Sequence, residues 1–386
     1  MSEKNKITIF PILFRSSNIQ KLYKSIEYFN LKVIHNHFDN SYESSIYSHR
    51  LIPEYFNLNL QDNSFKTKVI PEYNWGYSIL LNNQDSIEAF MKRQFNSKKR
   101  NIFTRYVRRL ETCFNIEYKM FYGKISKTDY NFVMQSLYNM IINRFEERNE
   151  LHKNLHEWDE LLQNTQQEII NKKASLFVIY NKNVPIEISL NYHFDKILFS
   201  YISSFDIDYS KFGLGHVEIY KQIEWCANNG YLLFEMGVGG MDYKRRWSNN
   251  IYRYMHYVVY KNISIKIQLL IIKIQFKEYL KSKKLNEVLP KLKSLIIKKH
   301  KKTTRVTLSE IKHNDGLNKS DFVEIDFVTK PYDFLKKYKN DFLYSTRNHE
   351  KEITVYANSN KNSFLLQGKN NHQIVSFTKQ NAHLIK

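Results

Sequence analysis

The sequence is poor in cysteine, proline and glycine. Its 386 residues include two cysteines, six prolines and ten glycines. Cys113 and Cys226 each lie in a stretch that predicts an amphipathic helix or its end, where a free thiol acts as a small apolar side chain. We therefore expect a reducing environment and predict a cytoplasmic protein.

Long apolar runs and metal-binding spacings are also lacking. The N-terminus has no run that could form the core of a signal peptide, and the longest apolar candidate, 263–276, contains Lys266 and Lys273. No C-x-x-C pair, H-E-x-x-H run or glycine-flanked serine nucleophile occurs. The sequence therefore predicts no transmembrane segment, no bound metal and no serine nucleophile.

The composition is that of a folded chain with an excess of positive charge. Hydrophobic residues make up 42% and aromatic residues 15% of the sequence, which is typical of packed globular proteins. The length suits two or more globular units. The formal charge of +21 at pH 7 predicts an anionic partner, either a nucleotide cofactor, a nucleic acid or an anionic membrane surface.

Hydrophobic periodicity predicts alternating strands and helices. The first half reads as a strand at 7–14, a short amphipathic helix at 17–29, strands within 45–81, a helix from Asp85 or Ser86, a helix at 98–113, a strand at 116–123 and two helices within 128–171. The next part reads as strands at 174–180, 186–192 and 197–205, a glycine loop, a helix ending at Gly230, a strand at 232–236, a short helix and a strand at 251–260. This order predicts an α/β or α+β fold.

The amino-acid composition of the chain changes after Tyr260. Residues 261–305 contain 14 Lys or Arg and two acids, a net charge of 14 − 2 = +12. We expect one or two basic amphipathic helices there, interrupted near Pro290. Residues 306–386 return to short β-like runs, which predicts a small accessory domain.

Two glycine motifs carry the chemistry. Lys211-Phe-Gly-Leu-Gly-His216 lies between a predicted strand and a predicted helix, where backbone N–H groups and the helix dipole favour a phosphate. Glu235-Met-Gly-Val-Gly-Gly-Met-Asp-Tyr-Lys244 follows a predicted strand and brings a phenol and an ammonium to the carboxyl edge of a sheet, where open α/β sheets bind ligands. Each motif alone is also compatible with a plain glycine turn.

Together the motifs resemble a family, the GNAT-superfamily N-acyltransferases associated with cellulose and other polysaccharide biosynthesis, which are related to the Fem-type aminoacyl-tRNA-dependent ligases. The resemblance spans roughly residues 85–262. The matching positions are Lys98, Arg100, Arg105, Arg108, Arg109, Leu110 and Glu111 in a helix, Phe205, Asp206, Tyr209 and Gly213 before the next helix, and Glu235, Gly237, Gly239, Tyr243 and Lys244 after it. Two positions depart from the family pattern, with Glu235 in place of an aspartate and Ser210 in place of the Gln or Arg that opens many phosphate loops.

The resemblance implies a GNAT-like mixed central sheet flanked by helices, doubled as in Fem-like proteins. It also implies an N-terminal degenerate GNAT-like half at 1–94 and an acyltransferase domain at 95–262, which the basic helical segment at 263–305 and a small β-rich domain at 306–386 would follow. The implied donor is acetyl-CoA or another acyl-CoA, and the implied acceptor is a small-molecule amine such as an amino sugar in cell-surface polysaccharide synthesis.

The resemblance also assigns residues to roles. Lys244, Tyr243, Glu235, Asp206 and His193 are the catalytic candidates; Lys211, Gly213, Leu214, Gly215, His216, Gly237 and Gly239 are the cofactor-binding candidates; Arg105, Arg109 and Tyr209 are the substrate-binding candidates. Structural alternatives stay open, since His193 can be an ordinary core imidazole, Asp206 can cap a loop and Glu235 can pair with Lys244 or Arg246.

Two other functions compete with this interpretation. A Fem-like ligase would use aminoacyl-tRNA as its donor, and residues 261–305 would then bind RNA with a steep salt dependence. A protein without catalysis would use the same segment to dock on nucleic acid or on the surface of an anionic membrane.

Overall fold

The computed structural model describes residues 6–8, 22–34, 42, 44–148, 157–239, 241–283, 306–315, 317–327 and 330–377. The first part contains β1 (Lys6–Thr8), β2 (Tyr23–Tyr28), β3 (Leu31–Ile34), β4 (Ile46–Pro53), β5 (Phe56–Leu60) and β6 (Lys66–Leu80). The middle contains α1 (Ile87–Gln94), α2 (Ser97–Cys113), β7 (Ile116–Phe121), α3 (Lys127–Arg148), α4 (Trp158–Ile170), β8 (Ala174–Asn181), β9 (Val184–Phe194), β10 (Ile197–Phe205), a 3-10 helix (Ile207–Phe212), α5 (Leu214–Asn228), β11 (Leu233–Val238), α6 (Asp242–Trp247) and β12 (Asn250–Tyr260).

The remainder begins with a helix and ends in a sheet. It contains α7 (Ile265–Ser282), β13 (Val306–Leu308), β14 (Lys312–His313), β15 (Phe322–Glu324), a 3-10 helix (Lys330–Leu335), α8 (Lys336–Thr346), a 3-10 helix (Glu350–Glu352), β16 (Thr354–Asn358), β17 (Ser363–Gln367) and β18 (Asn371–Phe377). A predicted strand at 7–14 thus begins with β1, and its last residues fall outside the described part of the chain. Pro290 also lies outside it.

A nine-stranded mixed sheet forms the centre of the molecule. Its strand order is β1-β4-β12-β6-β11-β10-β9-β8-β7. The pairs β1·β4 and β10·β11 are parallel, and the other neighbours are antiparallel. The predicted mixed α/β fold, with a central sheet flanked by helices, is confirmed.

The sheet runs without a break across residue 94. Strand β6 comes from the N-terminal part of the chain and pairs with both β11 and β12. One sheet therefore contains strands from both of the predicted halves, and the boundary at residue 94 stays a prediction.

Helices cover both faces of this sheet. Side chains alternate between the two faces along each strand, so both faces present apolar residues to the apolar stripes of the helices. On one face, α3 and α4 pack through Val133 and Leu161 in a cluster that includes Val178 of β8. On the other face, Val107 of α2 and Val217 of α5 pack in a second cluster. The predicted N-cap is also confirmed, since the Ser86 side chain accepts a hydrogen bond from the Ala89 N–H at the start of α1.

The predicted helix at 17–29 is wrong for its described residues beyond Leu22. Tyr23–Tyr28 is a strand, β2, which pairs with β3 and β5 in a separate three-stranded sheet. Tyr23, Ile26 and Tyr28 are buried there. The aromatic and β-branched residues of this stretch favour an extended backbone once neighbouring strands supply hydrogen bonds, and the amphipathic pattern alone did not reveal those partners.

The C-terminal part forms a six-stranded sheet and a helix that the β-like pattern did not predict. Strands β13, β18, β17, β16 and β15 follow one another, and β14 pairs with β18. Helix α8 buries Phe342 and Leu343 in the cluster that also contains Val107 and Phe212. This contact fixes the C-terminal part against α2 and the glycine loop.

Candidate functional site

The parallel strands β10 and β11 separate halfway along their length. Within residues 197–238, all of which are described, their pairing ends at Phe199 and Glu235, although β10 continues to Phe205 and β11 to Val238. The register of β10 against β9 shifts between Ser200 and Ile202, and that of β11 against β6 shifts after Glu235. Such bulges bend strands apart and are common beside active sites, so a gap opens at the carboxyl end of this pair.

Lys244 closes one side of this gap. Its side chain is buried, and its Nζ donates hydrogen bonds to the carbonyl oxygens of Met236 at 2.6 Å and Val238 at 2.9 Å. The short helix α6 supplies the lysine, and Gly239, with φ of 122°, lets the chain turn back towards it. The ammonium is therefore held on the strand segment that has left β10, and its third N–H has no hydrogen-bond acceptor among the described residues.

Glu235 fixes the same segment from the other side. The Gly237 N–H donates to Glu235 Oε1 at 2.7 Å, and the Tyr55 hydroxyl donates to Oε2 at 2.9 Å. Glu235 is fully buried, whereas Tyr55 is partly exposed. The Tyr55 hydroxyl is thus the hydrogen-bond partner that the N-terminal part of the chain supplies to this carboxyl group.

Burial shifts the pKa of both groups towards neutrality. Burial raises the pKa of Glu235 to about 7, against the opposing effects of Tyr252, the Gly237 N–H, Tyr55 and Lys244. Burial lowers the pKa of Lys244 to about 8, against the attraction of Glu235 and Glu218. An acid and a base that both titrate near neutral pH are a frequent mark of a functional site.

A second buried carboxyl group lies near Tyr243. Burial raises the pKa of Glu218 on α5 to about 7, against hydrogen bonds from Ser189 and Ser203. The pKa of Tyr243 rises to about 12 because of burial and of Glu218, so its hydroxyl stays protonated at neutral pH. Neither Glu218 nor Tyr55 belongs to a sequence motif, and no local signal in the sequence identifies them.

The start of α5 is partly covered and partly open. Gly213 adopts φ of 63°, and a Cβ there would lie 2.7 Å from the Tyr106 ring. At Gly215 a Cβ would meet no atom within 4 Å. His216 stacks on Tyr106 with ring centroids 5.1 Å apart, and Leu214 is buried. The accessible backbone of this turn is therefore at Gly215.

His216 is fixed in an aromatic environment. Trp247 Nε1 donates to His216 Nδ1 at 3.0 Å. Burial and the nearby charge of Arg246 together lower the pKa of His216 to about 4. The imidazole is therefore neutral at physiological pH and leaves the positive potential of this turn to the helix dipole.

Four candidate residues contact partners other than Lys244. The Asp206 side chain accepts from the Asp208 N–H at 3.0 Å and from Lys336 Nζ at 2.6 Å, so it caps the 3-10 helix and anchors α8. The Tyr209 hydroxyl is buried and accepts from Asn181 at 3.2 Å. Lys211 lies 3.4 Å from Asp341 in an ion pair. These three contacts join the glycine loop to other parts of the structure.

His193 is the fourth. It is buried beside Trp225 and Tyr231, near the end of α5 opposite Gly213, and its imidazole contacts Tyr231 and Ser175 at 2.7 and 2.8 Å. Burial lowers its pKa to about 3. This environment matches the alternative interpretation of a core imidazole.

Arg105 and Arg109 line an open cleft of about 720 Å³ between α2 and the end of α8. Arg105 is exposed on α2, and Arg109 donates a hydrogen bond to the Tyr344 carbonyl of α8. The structure therefore does not bring these arginines to Lys244. Among the described residues no cluster of His, Cys, Asp and Glu could hold a metal ion.

A family model matches the central part of the chain. Residues 97–245 match the acetyltransferase (GNAT) domain. The match covers α2 through most of α6, and so contains β10, α5, β11 and Lys244, but it is less than half of the 386-residue chain. No curated protein is detectably similar in sequence.

Solved structures give only a distant likeness. A conserved protein of unknown function from Bacteroides thetaiotaomicron is 10% identical, with 55% of this chain and 69% of that chain covered at a TM-score of 0.38. L-PGS from Bacillus licheniformis is 11% identical, with 60% and 72% covered at 0.35, and FemX is 8% identical, with 55% and 72% covered at 0.39. At these TM-scores the likeness carries no conclusion about activity.

Proposed function

We propose that this protein is an acyltransferase that moves an acyl group from acyl-CoA to an amine in the gap between β10 and β11. The observation that carries the proposal is the buried ammonium of Lys244, held by two carbonyls of β11 where that strand leaves β10. The GNAT match over residues 97–245 supports the reaction class.

The donor would approach the start of α5. Its diphosphate would rest on the backbone around Gly215, where an added Cβ would meet no atom within 4 Å. Lys211, Leu214 and His216 would then serve only through their backbone and by shaping the turn. Gly237, with φ of 72°, and Gly239, with φ of 122°, would form the backbone of the opposite wall beside Phe199 and Lys244.

The reaction needs a base, a group that stabilises the oxyanion and an acid. A lone pair on the acceptor nitrogen attacks the thioester carbon, the C–S bond breaks, and the amine proton passes to Glu235 by way of Tyr55. Lys244 stabilises the oxyanion of the tetrahedral intermediate, and Tyr243 donates a proton to the leaving thiolate. An acetyl group as the acyl group, and an amino sugar of cell-surface polysaccharide synthesis as the acceptor, follow only from the sequence resemblance and complete the proposal.

The first prediction concerns donor binding. Gly215→Ala should weaken acetyl-CoA binding about tenfold, because the methyl group would occupy the open approach to the backbone. The same change should raise the free energy of unfolding by about 0.5–1 kcal/mol, since alanine favours a helix over glycine. Isothermal titration calorimetry and urea unfolding measure the two effects.

Opposite signs for affinity and stability distinguish a binding role from a packing role. Gly213→Ala is the matched control, because its Cβ would clash with Tyr106 at positive φ and should lower stability. An unchanged acetyl-CoA affinity in Gly215→Ala would contradict the donor site. A thermal shift caused by bulk tRNA, salt-sensitive and without any response to acetyl-CoA, would favour the Fem-like alternative instead.

A further inference from the structure

Five cations surround the cleft between α2 and the end of α8. They are Lys98, Arg105, Arg108, Arg109 and Arg347, and the cleft lining contains no Asp or Glu. Lys98, Arg105 and Arg108 are separated by seven and three residues, so they follow one exposed face of α2. The C-terminal part of the chain contributes Arg347 across the cleft.

The charges of this cleft are uncompensated. None of Lys98, Arg105, Arg108 and Arg347 forms an ion pair with a carboxylate in the described part of the chain. The one acid of α2, Glu111, instead contacts Tyr118 and lies 3.9 Å from Lys221. Only Arg109 is engaged, since it donates to the Tyr344 carbonyl and lies 4.9 Å from the Tyr344 ring centroid.

This arrangement opposes the stability of α2 itself. The helix has no acid in its first turn, and Lys98 there faces the positive end of the helix dipole. Arg105 repels Arg108 and Arg109, which are three and four positions away. An anion bound in the cleft would offset both the dipole interaction and the repulsion between cations, so the cluster suits a site for an anionic ligand.

Arg347 is held in a backbone conformation that glycine would adopt more easily. It ends α8 with φ of 62°, in the left-handed region that favours glycine. The chain turns there at the edge of the cleft, and the Arg347 guanidinium lines the cleft. Arginine at this position therefore has an unfavourable backbone conformation and a charge that forms no ion pair in the described part of the chain.

We propose that this cleft binds the diphosphate group of a small molecule, at a site separate from the proposed acyl-CoA site. Guanidinium groups bind phosphate oxygens in pairs, and a cleft of about 720 Å³ falls in the range of small-molecule sites, roughly 300–1,000 Å³. The separation follows from α2, because Tyr106 faces Gly213 whereas Arg105 and Arg108 face outward.

Titration of the full chain with pyrophosphate and with uridine 5′-diphosphate tests this site. Arg347→Gly should weaken binding of both at least about tenfold through loss of a charge-assisted contact. Its stability should not fall, because glycine accepts the left-handed backbone. Arg108→Gln should weaken binding similarly, whereas Lys99→Gln, which removes an equal charge from the same helix outside the cleft lining, should not.

Several outcomes would overturn the proposal. They are no binding of either probe to the unmodified chain, equal weakening by Lys99→Gln, and an equal loss of acetyl-CoA affinity in Arg347→Gly, which would make the cleft part of the donor site. Tight binding of tRNA through Arg108 and Arg347 without binding of either diphosphate would also overturn it. Loss of acetyl-CoA binding in Gly215→Ala bears only on the proposed acyl transfer.

A different observation concerns helix α7. Ile265, Leu269, Ile272, Phe276 and Tyr279 are 56–77% exposed, and their spacing of four and three residues places them on one face. The buried residues of this helix, Ile267 and Glu278, mark the opposite face. We call the five exposed residues the α7 stripe. It points away from the body of the protein.

Lysines accompany the α7 stripe and indicate the nature of its partner. Lys266, Lys273 and Lys277 lie beside it, and the helix's single acid, Glu278, is turned inward, where it accepts from the Tyr73 N–H at 2.7 Å and from Lys281 at 2.6 Å. Two copies of this helix packed together would bring their lysines into mutual repulsion. An anionic lipid surface matches both the apolar stripe and the charge.

We infer that α7 lies on anionic membranes, with its stripe among the acyl chains and its lysines at the headgroups. No helix in the described part of the chain is long and apolar enough to cross a bilayer, so contact would be at the surface. This inference does not depend on acyl transfer or on the cleft.

Sedimentation of the full chain with lipid vesicles tests it. Vesicles containing 30 mol% (roughly a third) phosphatidylglycerol should bind the chain, pure phosphatidylcholine should bind it much less, and added salt should reduce binding. Leu269→Asn with Phe276→Asn should lower the partition coefficient at least about tenfold through loss of buried apolar area. Val323→Asn, at a site 70% exposed elsewhere, is the matched control.

Equal binding to both kinds of vesicle, or equal loss in the Val323 control, would contradict membrane contact through the α7 stripe. A dimer in gel filtration that Leu269→Asn dissociates, without vesicle binding, would show a second copy of the chain to be the partner instead.

Discussion

Lys244→Met is expected to lower the rate of thiol release from acetyl-CoA by about 100- to 1,000-fold, the usual effect of removing one group that stabilises an oxyanion. The Lys244 ammonium is buried and is bound to the Met236 and Val238 carbonyls, which leaves one N–H for the developing charge. Release of coenzyme A in the presence of a panel of small amines, followed with a thiol reagent, measures the rate.

Folding must be measured beside activity, because the substitution removes the partner of two carbonyls. The substitution leaves two carbonyl groups without their donor, which destabilises the protein, and it also removes a buried charge, which stabilises it. The free energy of unfolding should therefore change by less than about 2 kcal/mol. Arg245→Met, the loss of an exposed cation at the next position of α6, is the control and should retain its activity. Full activity of Lys244→Met in a folded protein would refute the proposed reaction site.

The pH dependence of kcat/KM should be bell-shaped with a maximum between about pH 7 and pH 8. Glu235 must lose its proton to accept one from the amine, and its pKa is about 7, so activity rises as pH passes that value. Lys244 must keep its proton, and its pKa is about 8, so activity falls above that value. The two groups interact, so each limb belongs to the pair.

Substitution separates the two limbs. Glu235→Gln should lower kcat/KM by about 100-fold, in the range of general base catalysis, and should remove the acidic limb. Lys244→Arg should move the alkaline limb to higher pH, because a guanidinium stays protonated. Rates are measured from pH 5.5 to 9.5 (about four units) around both pKa values. An unchanged acidic limb in Glu235→Gln would show that another group is the base.

The sequence predicted the elements around the site well because their causes are local. The apolar stripe of α2, the Ser86 cap and the end of α5 at Gly230 all depend on residues within one or two turns. The prediction of a helix at 17–29 was wrong because the structure of that stretch depends on distant residues. Whether Tyr23 and Ile26 pair as a strand depends on β3 and β5, and β5 lies about 30 residues further along the chain.

The predicted site residues also divide into those whose positions depend on nearby residues and those whose contacts depend on distant ones. Glu235 and Lys244 are close in sequence and contact the same strand end, and Tyr243 precedes Lys244 on α6. Asp206, Tyr209 and Lys211 are equally close in sequence to Gly213, but contacts with Lys336, Asn181 and Asp341 engage them. Asn181 belongs to β8, and the other two partners belong to α8, a helix that the sequence pattern did not indicate.

By itself the sequence determined where the backbone must turn and which faces of its helices are apolar. Glycine at 213, 237 and 239 permits the positive φ that those turns require, and helical spacing depends only on neighbouring side chains. The tertiary structure alone decided which groups are buried together. It brought Tyr55 to Glu235 across 180 positions of sequence and surrounded Lys244 with protein, and burial is what moves their pKa values towards neutrality.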